Sequence, residues 1–328
     1  MTTILTKLAL RATFLAAALA AGAGFAFAQY PAKPVSLVIA APPGAATDVV
    51  GRMLAEHLGS MLGRQFAADN RPGASGMLAA SLVAKAAPDG HTLLFAPNSL
   101  LVAPHVLAKG AAGDLDVIRD LAPVVLAASS PVVILVHPSL GVKTIQEFVG
   151  LARRTDGIAY ASSGTGSLLH LAGELFQRAT GVKLTHVPYK GLAQAAPDVA
   201  TGRVQTMFGV PGGAISGLIS GGRVVPLAVT QKQRSLLLPN VPTLIESGID
   251  GVEFAADFIM YAPAGTPPPI LARLNEESTA FLRSSEVRER MAAIGVDARG
   301  STLEEIRQKV REDYQRYGRI VSEFGIKE

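Results

Sequence analysis

The 328-residue sequence contains no cysteine. This absence excludes disulfide bonds, thiolate zinc sites, cysteine nucleophiles and lipid attachment at an N-terminal cysteine. The fold must therefore be held by its core alone, which a chain of this length can manage. The metalloprotease pattern H-E-x-x-H and the hydrolase pattern G-x-S-x-G are also missing, so neither enzyme class gains support.

A large charge of either sign is lacking too. The formal net charge is +4, which is too small and too dispersed to indicate nucleic acid or an anionic membrane as a partner. Beyond the N-terminal segment, no stretch is long and apolar enough to span a bilayer.

The N-terminal segment 1–28 predicts a secretory signal peptide. Two basic residues precede an apolar run over 12–27, and Ala26-Phe27-Ala28 has the small residues that a signal peptidase accepts. We expect cleavage before Gln29, export to a bacterial periplasm and a mature chain of 300 residues. A membrane anchor is the alternative, but the run is short for a bilayer and lacks a basic flank behind it.

Short β-branched runs alternate with helical patterns along the mature chain. This alternation predicts an α/β fold with parallel or mixed sheets, and the length predicts two lobes of roughly 100 to 200 residues each. The main predicted strands are 35–40, 91–96, 132–137, 158–161, 184–187, 203–210 and 224–229, and the helices are 48–62, 144–153 and 168–180. From Pro267 onward the pattern is almost wholly helical.

Two apolar stretches, 121–137 and 252–262, indicate where the chain passes between the lobes. Two such crossings would assemble lobe 1 from residues 29–130 plus 256–328, and lobe 2 from residues 131–255. Capping boxes are predicted at the start of two helices, at Thr144 with Glu147 and at Ser301 with Glu304.

The loop after the first strand is the first candidate for a binding site. It consists of small residues and leads directly into a helix that we expect to begin near Asp48, with Thr47 as N-cap. Free N–H groups in the first turn of a helix favour an anion. The candidate residues are Ala41, Pro42, Pro43, Gly44, Ala45, Ala46, Thr47 and Asp48. A tight turn without a ligand is the alternative.

A second loop repeats this arrangement after the strand at 158–161 and adds hydroxyl groups that could donate to a carboxylate. The candidates are Ser162, Ser163, Gly164, Thr165, Gly166 and Ser167, with His170 in the first turn of the following helix. His170 is either a ligand contact or a histidine satisfied within the protein. A cleft closed by both loops would hold a carboxylate between two lobes, at the carboxyl ends of strands where α/β sheets bind ligands.

Two nucleotide-binding patterns fail at specific positions. The stretch from Gly164 to Gly166 lacks the further glycine at Leu169, and the spacing from Gly212 to Gly217 is followed by Leu218 where a P-loop needs lysine. The sequence therefore predicts no enzyme, no cofactor and no metal site.

Ordered segments along the whole mature chain carry a family resemblance. They include Tyr30-Pro31-Ala32-Lys33-Pro34, Asn70-Arg71-Pro72-Gly73-Ala74, Ala87-Pro88-Asp89-Gly90-His91-Thr92, Tyr160-Ala161-Ser162-Ser163-Gly164, His186-Val187-Pro188-Tyr189-Lys190-Gly191 and Ala262-Pro263-Ala264-Gly265-Thr266-Pro267. In these segments the chain resembles the receptors of tripartite tricarboxylate transporters, also called the Bug family of periplasmic solute-binding proteins.

The resemblance implies a two-lobed periplasmic binding protein fold, type II-like, with a ligand cleft between the lobes. It implies a small carboxylate as ligand, held by the two loops above, and a separate membrane permease as partner. A membrane sensor kinase is the alternative partner, and a periplasmic α/β enzyme is the alternative function. We expect a monomer that binds no nucleic acid.

The first loop and two single positions depart from the family pattern. Where relatives commonly have Pro-Phe-Pro-x-Gly-Gly-Gly, this chain has Ala40-Ala41-Pro42-Pro43-Gly44-Ala45-Ala46. Gly209 replaces a frequent aspartate, and Asp257 replaces a frequent tryptophan before Phe258. The resemblance places Gly209, Asp257 and Phe258 in the pocket, and these changes favour a bulkier carboxylate, aromatic acids included, over the small acidic amino acids.

Overall fold

The computed structural model describes residues 30–107, 115–165, 167–189, 191–235 and 237–326. The predicted signal peptide and Gly166 lie outside the described residues. The strands are β1 (Val35–Ile39), β2 (Phe66–Asn70), β3 (Thr92–Pro97), β4 (Leu121–Pro131), β5 (Val133–Val136), β6 (Ala159–Ser162), β7 (Thr185–Pro188), β8 (Thr206–Gly209), β9 (Val225–Val229), β10 (Ala255–Pro263) and β11 (Asp297–Ala298). The helices are α1 (Ala46–Leu62), α2 (Met77–Ala84), α3 (Ser99–Val106), α4 (Val117–Asp120), α5 (Ile145–Ala152), α6 (Leu168–Thr180), α7 (Leu192–Ala200), α8 (Gly213–Ser220), α9 (Pro268–Leu282), α10 (Ser285–Ala293) and α11 (Leu303–Phe324).

The strands form two mixed sheets. The first has the order β11-β4-β10-β3-β1-β2, with β1 parallel to β2 and β3, and with β10 antiparallel to both β3 and β4. The second has the order β7-β6-β8-β5-β9, with β6 parallel to β7 and β8, and β5 antiparallel to β8 and β9. Helices α9 and α11 contact β4, so the C-terminal part of the chain packs on the first sheet.

The chain crosses between the sheets twice. The first crossing is a single residue, Val132, between the end of β4 and the start of β5, and the second leads from β9 to β10. Two sheets with two crossings are a two-lobed α/β fold, which confirms the predicted fold class. The predicted lobe boundaries at 130/131 and 255/256 stay a prediction.

Thr230 joins the two crossings through hydrogen bonds. Its N–H donates to the carbonyl oxygen of Val132 at 2.9 Å, and its hydroxyl donates to the carbonyl oxygen of Phe254 at 2.7 Å. Phe254 N–H donates back to the Thr230 carbonyl at 3.3 Å. Thr230 is buried, so these bonds are shielded from competing water.

Strand β5, an interior strand of the second sheet, is apolar throughout because helices cover both of its faces. Val133 and Leu135 pack in one core with α7 and α8, whereas Ile134 and Val136 pack in another with α5 and α6. Successive side chains of a strand point to opposite faces, so a strand covered on both sides reads as a continuous apolar run.

The last helix begins one residue later than the sequence predicted. Thr302 is its N-cap, and it forms a reciprocal capping box with Glu305 in place of the predicted Ser301 and Glu304. The Ser301 hydroxyl instead accepts the Leu126 N–H of β4 at 3.0 Å. Ser301 is thus committed to the sheet, and the neighbouring hydroxyl caps the helix.

The capping box predicted at Thr144 forms only in half. Thr144 caps α5 by accepting the Glu147 N–H at 3.2 Å, but the Glu147 carboxylate accepts the N–H of Lys143 at 2.7 Å instead of that of Thr144.

Candidate functional site

The first loop leads into α1 earlier than expected. Ala45 is the N-cap and α1 begins at Ala46, so Thr47 is a buried residue of the first turn and not the predicted cap. Gly44 has φ +80, a left-handed value that suits glycine. Pro42, Pro43 and Gly44 are exposed, which leaves this part of the loop open to a ligand.

Asp48 holds the first loop in place. Its carboxylate accepts the N–H of Gly44 at 2.9 Å, the side-chain amide of Asn70 at 2.8 Å and Nε of Arg52 at 2.8 Å. Asn70 also donates to the carbonyl oxygen of Ala41 at 3.0 Å. Burial opposes ionisation, but the donors Gly44, Asn70 and Arg52 outweigh it and lower the pKa of Asp48. The carboxylate is therefore engaged within the protein.

Asp48→Asn is expected to lower the free energy of unfolding at pH 7 by about 1 kcal/mol, because it removes charge-assisted hydrogen bonds. A lowered folded-state pKa stabilises the protein above the unfolded pKa of about 3.9, and this contribution is lost as pH falls through the folded pKa. The difference between wild type and variant in urea unfolding should thus shrink towards pH 3. Asp69→Asn is the control, since its pair with Arg71 is exposed and should contribute little.

A segment with unusual backbone torsions follows β2 at the same end of the sheet. Ala74 has φ 45° and Ser75 has φ 53°, both left-handed values that cost energy for residues with a Cβ. The next residue, Gly76, has φ +96 and lies so close to Ala40 that an added Cβ would be 3.4 Å from the Ala40 Cβ. This segment therefore packs against the start of the first loop.

The second loop ends in a capped helix N-terminus. Helix α6 spans Leu168–Thr180 as predicted, and Ser167, expected as a ligand donor, is its N-cap and accepts the His170 N–H at 3.2 Å. Gly164 has φ +130, which lets the loop turn back. Thr165 is exposed and Ser163 partly exposed, so their hydroxyls can reach a ligand.

Ser162 is a structural residue of the second loop. Its side chain is fully buried, and its hydroxyl contacts the backbone of Gly164 and Nε2 of His186 at 2.7 Å. The hydroxyl expected to donate to a carboxylate is thus already occupied. It fixes the turn that presents Ser163 and Thr165.

A cluster of aromatic and imidazole rings, which the sequence did not predict, packs against the buried side of the second loop. The imidazoles of His170 and His186 stack at 3.9 Å, and the Tyr160 ring lies 4.9 Å from His186. Glu174 accepts the Tyr160 hydroxyl at 2.7 Å and lies 3.6 Å from Nε2 of His170. Burial, together with the nearby charge of His170, lowers the pKa of His186 to about 4, so His186 is neutral at neutral pH.

Both loops lie at the ends of their sheets where the chain crosses. β6 is parallel to β8, and the end of β8 at Gly209 pairs with Val133, the first residue after the first crossing. β1 is parallel to β3, and the end of β3 at Pro97 pairs with Phe258 near the start of β10. The two helix N-termini, of α1 and α6, therefore begin at the edges where the sheets meet.

The three remaining candidates occupy different environments. Gly209 is buried at the end of β8, where an added Cβ would be 3.1 Å from the sulfur of Met207. Phe258 is buried in the core of the first sheet.

The carboxylate of Asp257 is engaged within the protein. Its side chain is buried, accepts a short hydrogen bond from Ser129 and pairs with Lys309 of α11 at 2.9 Å. It lines a separate cavity beside the crossings together with α10 and α11. The sequence could not reveal this partner, because Lys309 lies 52 residues further along the chain.

The molecule has two lobes joined by two crossings, and each lobe presents a loop and a helix N-terminus at the edge that faces the other lobe. This arrangement is that of the two-lobed solute-binding proteins. Residues 50–326 match the family described as "Tripartite tricarboxylate transporter family receptor". The chain belongs to this family, as its sequence motifs predicted.

Similar proteins cover nearly the whole chain. Protein BugT of Bordetella pertussis is 34% identical over 308 residues, which are 91% of this chain and 91% of BugT. The solved structure "R. palustris Rpa4515 with adipate" has a TM-score of 0.80 and 34% identity, and covers 90% of this chain and 99% of that one. The structure of MatC from Rhodopseudomonas palustris with bound malate has a TM-score of 0.76 and 29% identity, and covers 89% and 100%.

The family and its structural neighbours are periplasmic solute-binding receptors and not enzymes. In the part of the chain that the structure describes, no helix combines the length and the apolar character needed to cross a membrane.

Proposed function

We propose that this protein is exported through its N-terminal segment 1–28 and captures a carboxylate-bearing ligand between its lobes in the periplasm. The observation that carries the proposal is the pair of loops at the crossing edges, each leading into a helix N-terminus. The N–H groups of such a first turn have no partner within the helix, and the helix dipole favours negative charge there. Two of them on opposite lobes would contact a carboxylate from both sides as the cleft closes.

The proposed ligand contacts come from the exposed parts of the loops. Pro42 to Gly44 would contact the body of the ligand, because the prolines have no N–H and that of Gly44 is bonded to Asp48. Ser163 and Thr165 would donate their hydroxyls to the carboxylate. Asp48, Ser162 and His170 would act indirectly, by fixing the loops. Gly166 remains part of the proposed site.

The ligand class is inferred from relatives and from this loop. One similar receptor has been solved with adipate and another with malate, both carboxylates. The first loop of this chain carries Ala45 and Ala46, whose methyl groups stiffen it, and neither Gly209 nor the engaged carboxylate of Asp257 can hold a ligand ammonium group. We therefore infer a carboxylate with a larger body than the small acidic amino acids have.

A thermal-shift screen of the purified protein tests the ligand class. The panel contains adipate, malate, benzoate and glutamate, with glucose and acetamide as uncharged compounds. A carboxylate present at 100 times its dissociation constant should stabilise the protein by about 2.7 kcal/mol. Stabilisation by the uncharged compounds alone would contradict the proposal.

Ser163→Ala combined with Thr165→Ala is expected to weaken binding of the best carboxylate about tenfold or more, because two hydroxyl donors are lost. The free energy of unfolding should change little, since Thr165 is exposed and Ser163 partly so. Isothermal titration calorimetry measures the affinity, and Ser322→Ala on the exposed face of α11 serves as a control. Unchanged affinity would remove the second loop from the site.

Delivery to a tripartite tricarboxylate-type permease is the proposed role of the captured ligand. Deleting the gene should then abolish uptake of the labelled ligand, and expression of the wild-type chain should restore it. Uptake that persists while a ligand-dependent transcriptional response disappears would assign the receptor to a sensor kinase instead.

A further inference from the structure

A cavity of about 840 Å³ lies beside the crossings and does not include either candidate loop. Its walls come from the segment after β9, Gln231 to Arg234, from helices α10 and α11, and from β11. One wall of the cavity therefore follows the second sheet, and the other walls belong to elements that pack on the first sheet. Its volume lies within the range of about 300–1,000 Å³ that is usual for small-molecule sites.

The cavity and the two loops lie on opposite sides of the crossing strands. In the first sheet, β1 lies on one side of β10 and β4, and β11 lies on the other. In the second sheet, β6 lies on one side of β5, and β9 lies on the other. The loops follow β1 and β6, whereas the cavity is bordered by β11 and by the segment after β9. We name it the hinge-side cavity.

Basic groups exceed acidic groups in its walls, with six against four. Lys309 is neutralised by Asp257 at 2.9 Å and by Asp313 at 2.8 Å. The guanidinium of Arg316 donates to the carbonyl oxygen of Glu253 and lies 4.9 Å over the Phe254 ring. Within the described residues, neither Arg316 nor Arg288 has a carboxylate in ion-pair distance, although the charge of Arg316 also acts on the Asp313 carboxylate. Arg288 is therefore available to a ligand, and Arg316 is available in part.

The remaining wall is a mixture of apolar surface and amides. The rings of Phe254 and Tyr317 stack at 5.8 Å, and Ala255, Ala292 and Ala298 add methyl groups. Gln231 and Gln233 contribute side-chain amides. Such a surface can bury the body of an organic molecule while it donates hydrogen bonds to a charged end.

We propose that the hinge-side cavity is a second binding site, for a small organic anion that carries a carboxylate on an apolar body. Arg288 and Arg316 contact the carboxylate, since guanidinium groups bind carboxylates through paired hydrogen bonds. The stacked rings and alanines contact the body.

Occupancy of this site opposes closure of the ligand cleft, and this second step rests on the proposed function. A rotation about the crossings that brings the two loops together moves the elements on the other side of the crossings apart. A ligand that contacts both walls of the hinge-side cavity favours the open cleft, because it binds the two states with different affinities. The two ligands are then antagonistic.

The absence of cysteine allows a direct test of the site. Ala292 is an exposed wall residue, so Ala292→Cys introduces a single reactive thiol into the cavity. Phthalate, a dicarboxylate on an aromatic ring, is the probe, and it should slow labelling of this thiol in a saturable manner. Arg288→Gln in the same background should weaken this protection about tenfold. Arg290→Gln, an exposed arginine of the same helix outside the cavity, should leave it unchanged.

Three results would overturn the site. They are no protection by phthalate, protection by inorganic phosphate alone, and an equal loss of protection with Arg288→Gln and Arg290→Gln. Pro43→Cys in the first loop reports separately on the cleft, with adipate as its probe. Phthalate alone should leave Pro43→Cys unprotected, and saturating phthalate should weaken adipate protection of Pro43→Cys about fivefold or more, an effect that Arg288→Gln should reduce. If phthalate protects Ala292→Cys but does not weaken adipate protection of Pro43→Cys, the antagonism is refuted. If adipate does not protect Pro43→Cys from labelling, the result counts only against the ligand proposed for the cleft.

Discussion

Gly295→Ala is expected to lower the free energy of unfolding by about 3 kcal/mol. Gly295 has φ +83, a left-handed value that costs an alanine energy. An added Cβ would also overlap the carbonyl oxygen of Pro211 and lie 2.8 Å from the Cα of Gly212. Both neighbours are backbone, so they cannot rotate away as a side chain could.

The same change is expected to loosen the contact between the lobes. Gly295 follows α10, which packs beside the first sheet, whereas Pro211 follows β8 of the second sheet. Ser130 of β4 holds Gly295 against the first sheet by donating its hydroxyl to the Gly295 carbonyl oxygen at 2.8 Å. Displacing Pro211 should therefore weaken carboxylate binding as well as stability, and calorimetric titration measures the loss of affinity.

Gly265→Ala separates the two causes. Gly265 has φ +82, but an added Cβ would lie 3.8 Å from its nearest neighbour, the Cβ of Pro88. This variant carries only the torsional cost of about 1–2 kcal/mol. Urea unfolding of both variants gives the comparison. Equal losses of stability would show that the contact with Pro211 does not contribute.

Lys309→Met is expected to lower the free energy of unfolding by about 3 kcal/mol. Lys309 lies between the buried carboxylates of Asp257 and Asp313. Burial alone would lower the pKa of Lys309, but the charges of Asp257 and Asp313 outweigh burial and raise it. Removing the ammonium leaves two carboxylates buried without a counter-charge. The loss should lie at the low end for buried pairs, because 36% of the Lys309 side chain is exposed.

A second substitution tests this cause. Asp257→Asn in the Lys309→Met background should restore part of the lost stability, because one uncompensated charge disappears while Ser129 keeps an acceptor. Lys183→Met is the control for the surface, where the change should stay within about 0.5 kcal/mol. Urea unfolding at pH 7 measures all three. A double variant less stable than Lys309→Met would contradict the electrostatic explanation.

Most of the secondary structure could be predicted because its signals are local. The apolar run at 132–137 became the fully buried β5, and the helix predicted at 168–180 spans Leu168–Thr180. Helix starts were less certain, because adjacent residues can cap and tertiary contacts decide between them. Ser301 was unavailable as a cap because Leu126 of β4 needed its hydroxyl.

The loops that form the candidate site were predictable as loops, whereas the contacts of each residue in them were not. The two loops could be placed because strand ends and helix starts are local features. The side chains of Ser162 and Asp257 are turned into the protein by His186 and Lys309, which lie far along the chain. Asp48 is likewise engaged by groups of the protein. No local pattern marks such pairs, so a polar side chain in a binding loop could not be distinguished from one that supports the loop.

The bonds of Thr230 to Val132 and Phe254 have a consequence for motion. Each crossing alone could bend by itself, which would let the lobes twist as well as close. Because the buried Thr230 is bonded to both, bending one crossing alone would break these bonds, so coupled motion of the two crossings is favoured. Thr230→Val would remove both hydroxyl bonds and keep the backbone bonds, so it is a way to weaken this coupling without changing any group proposed to contact a ligand.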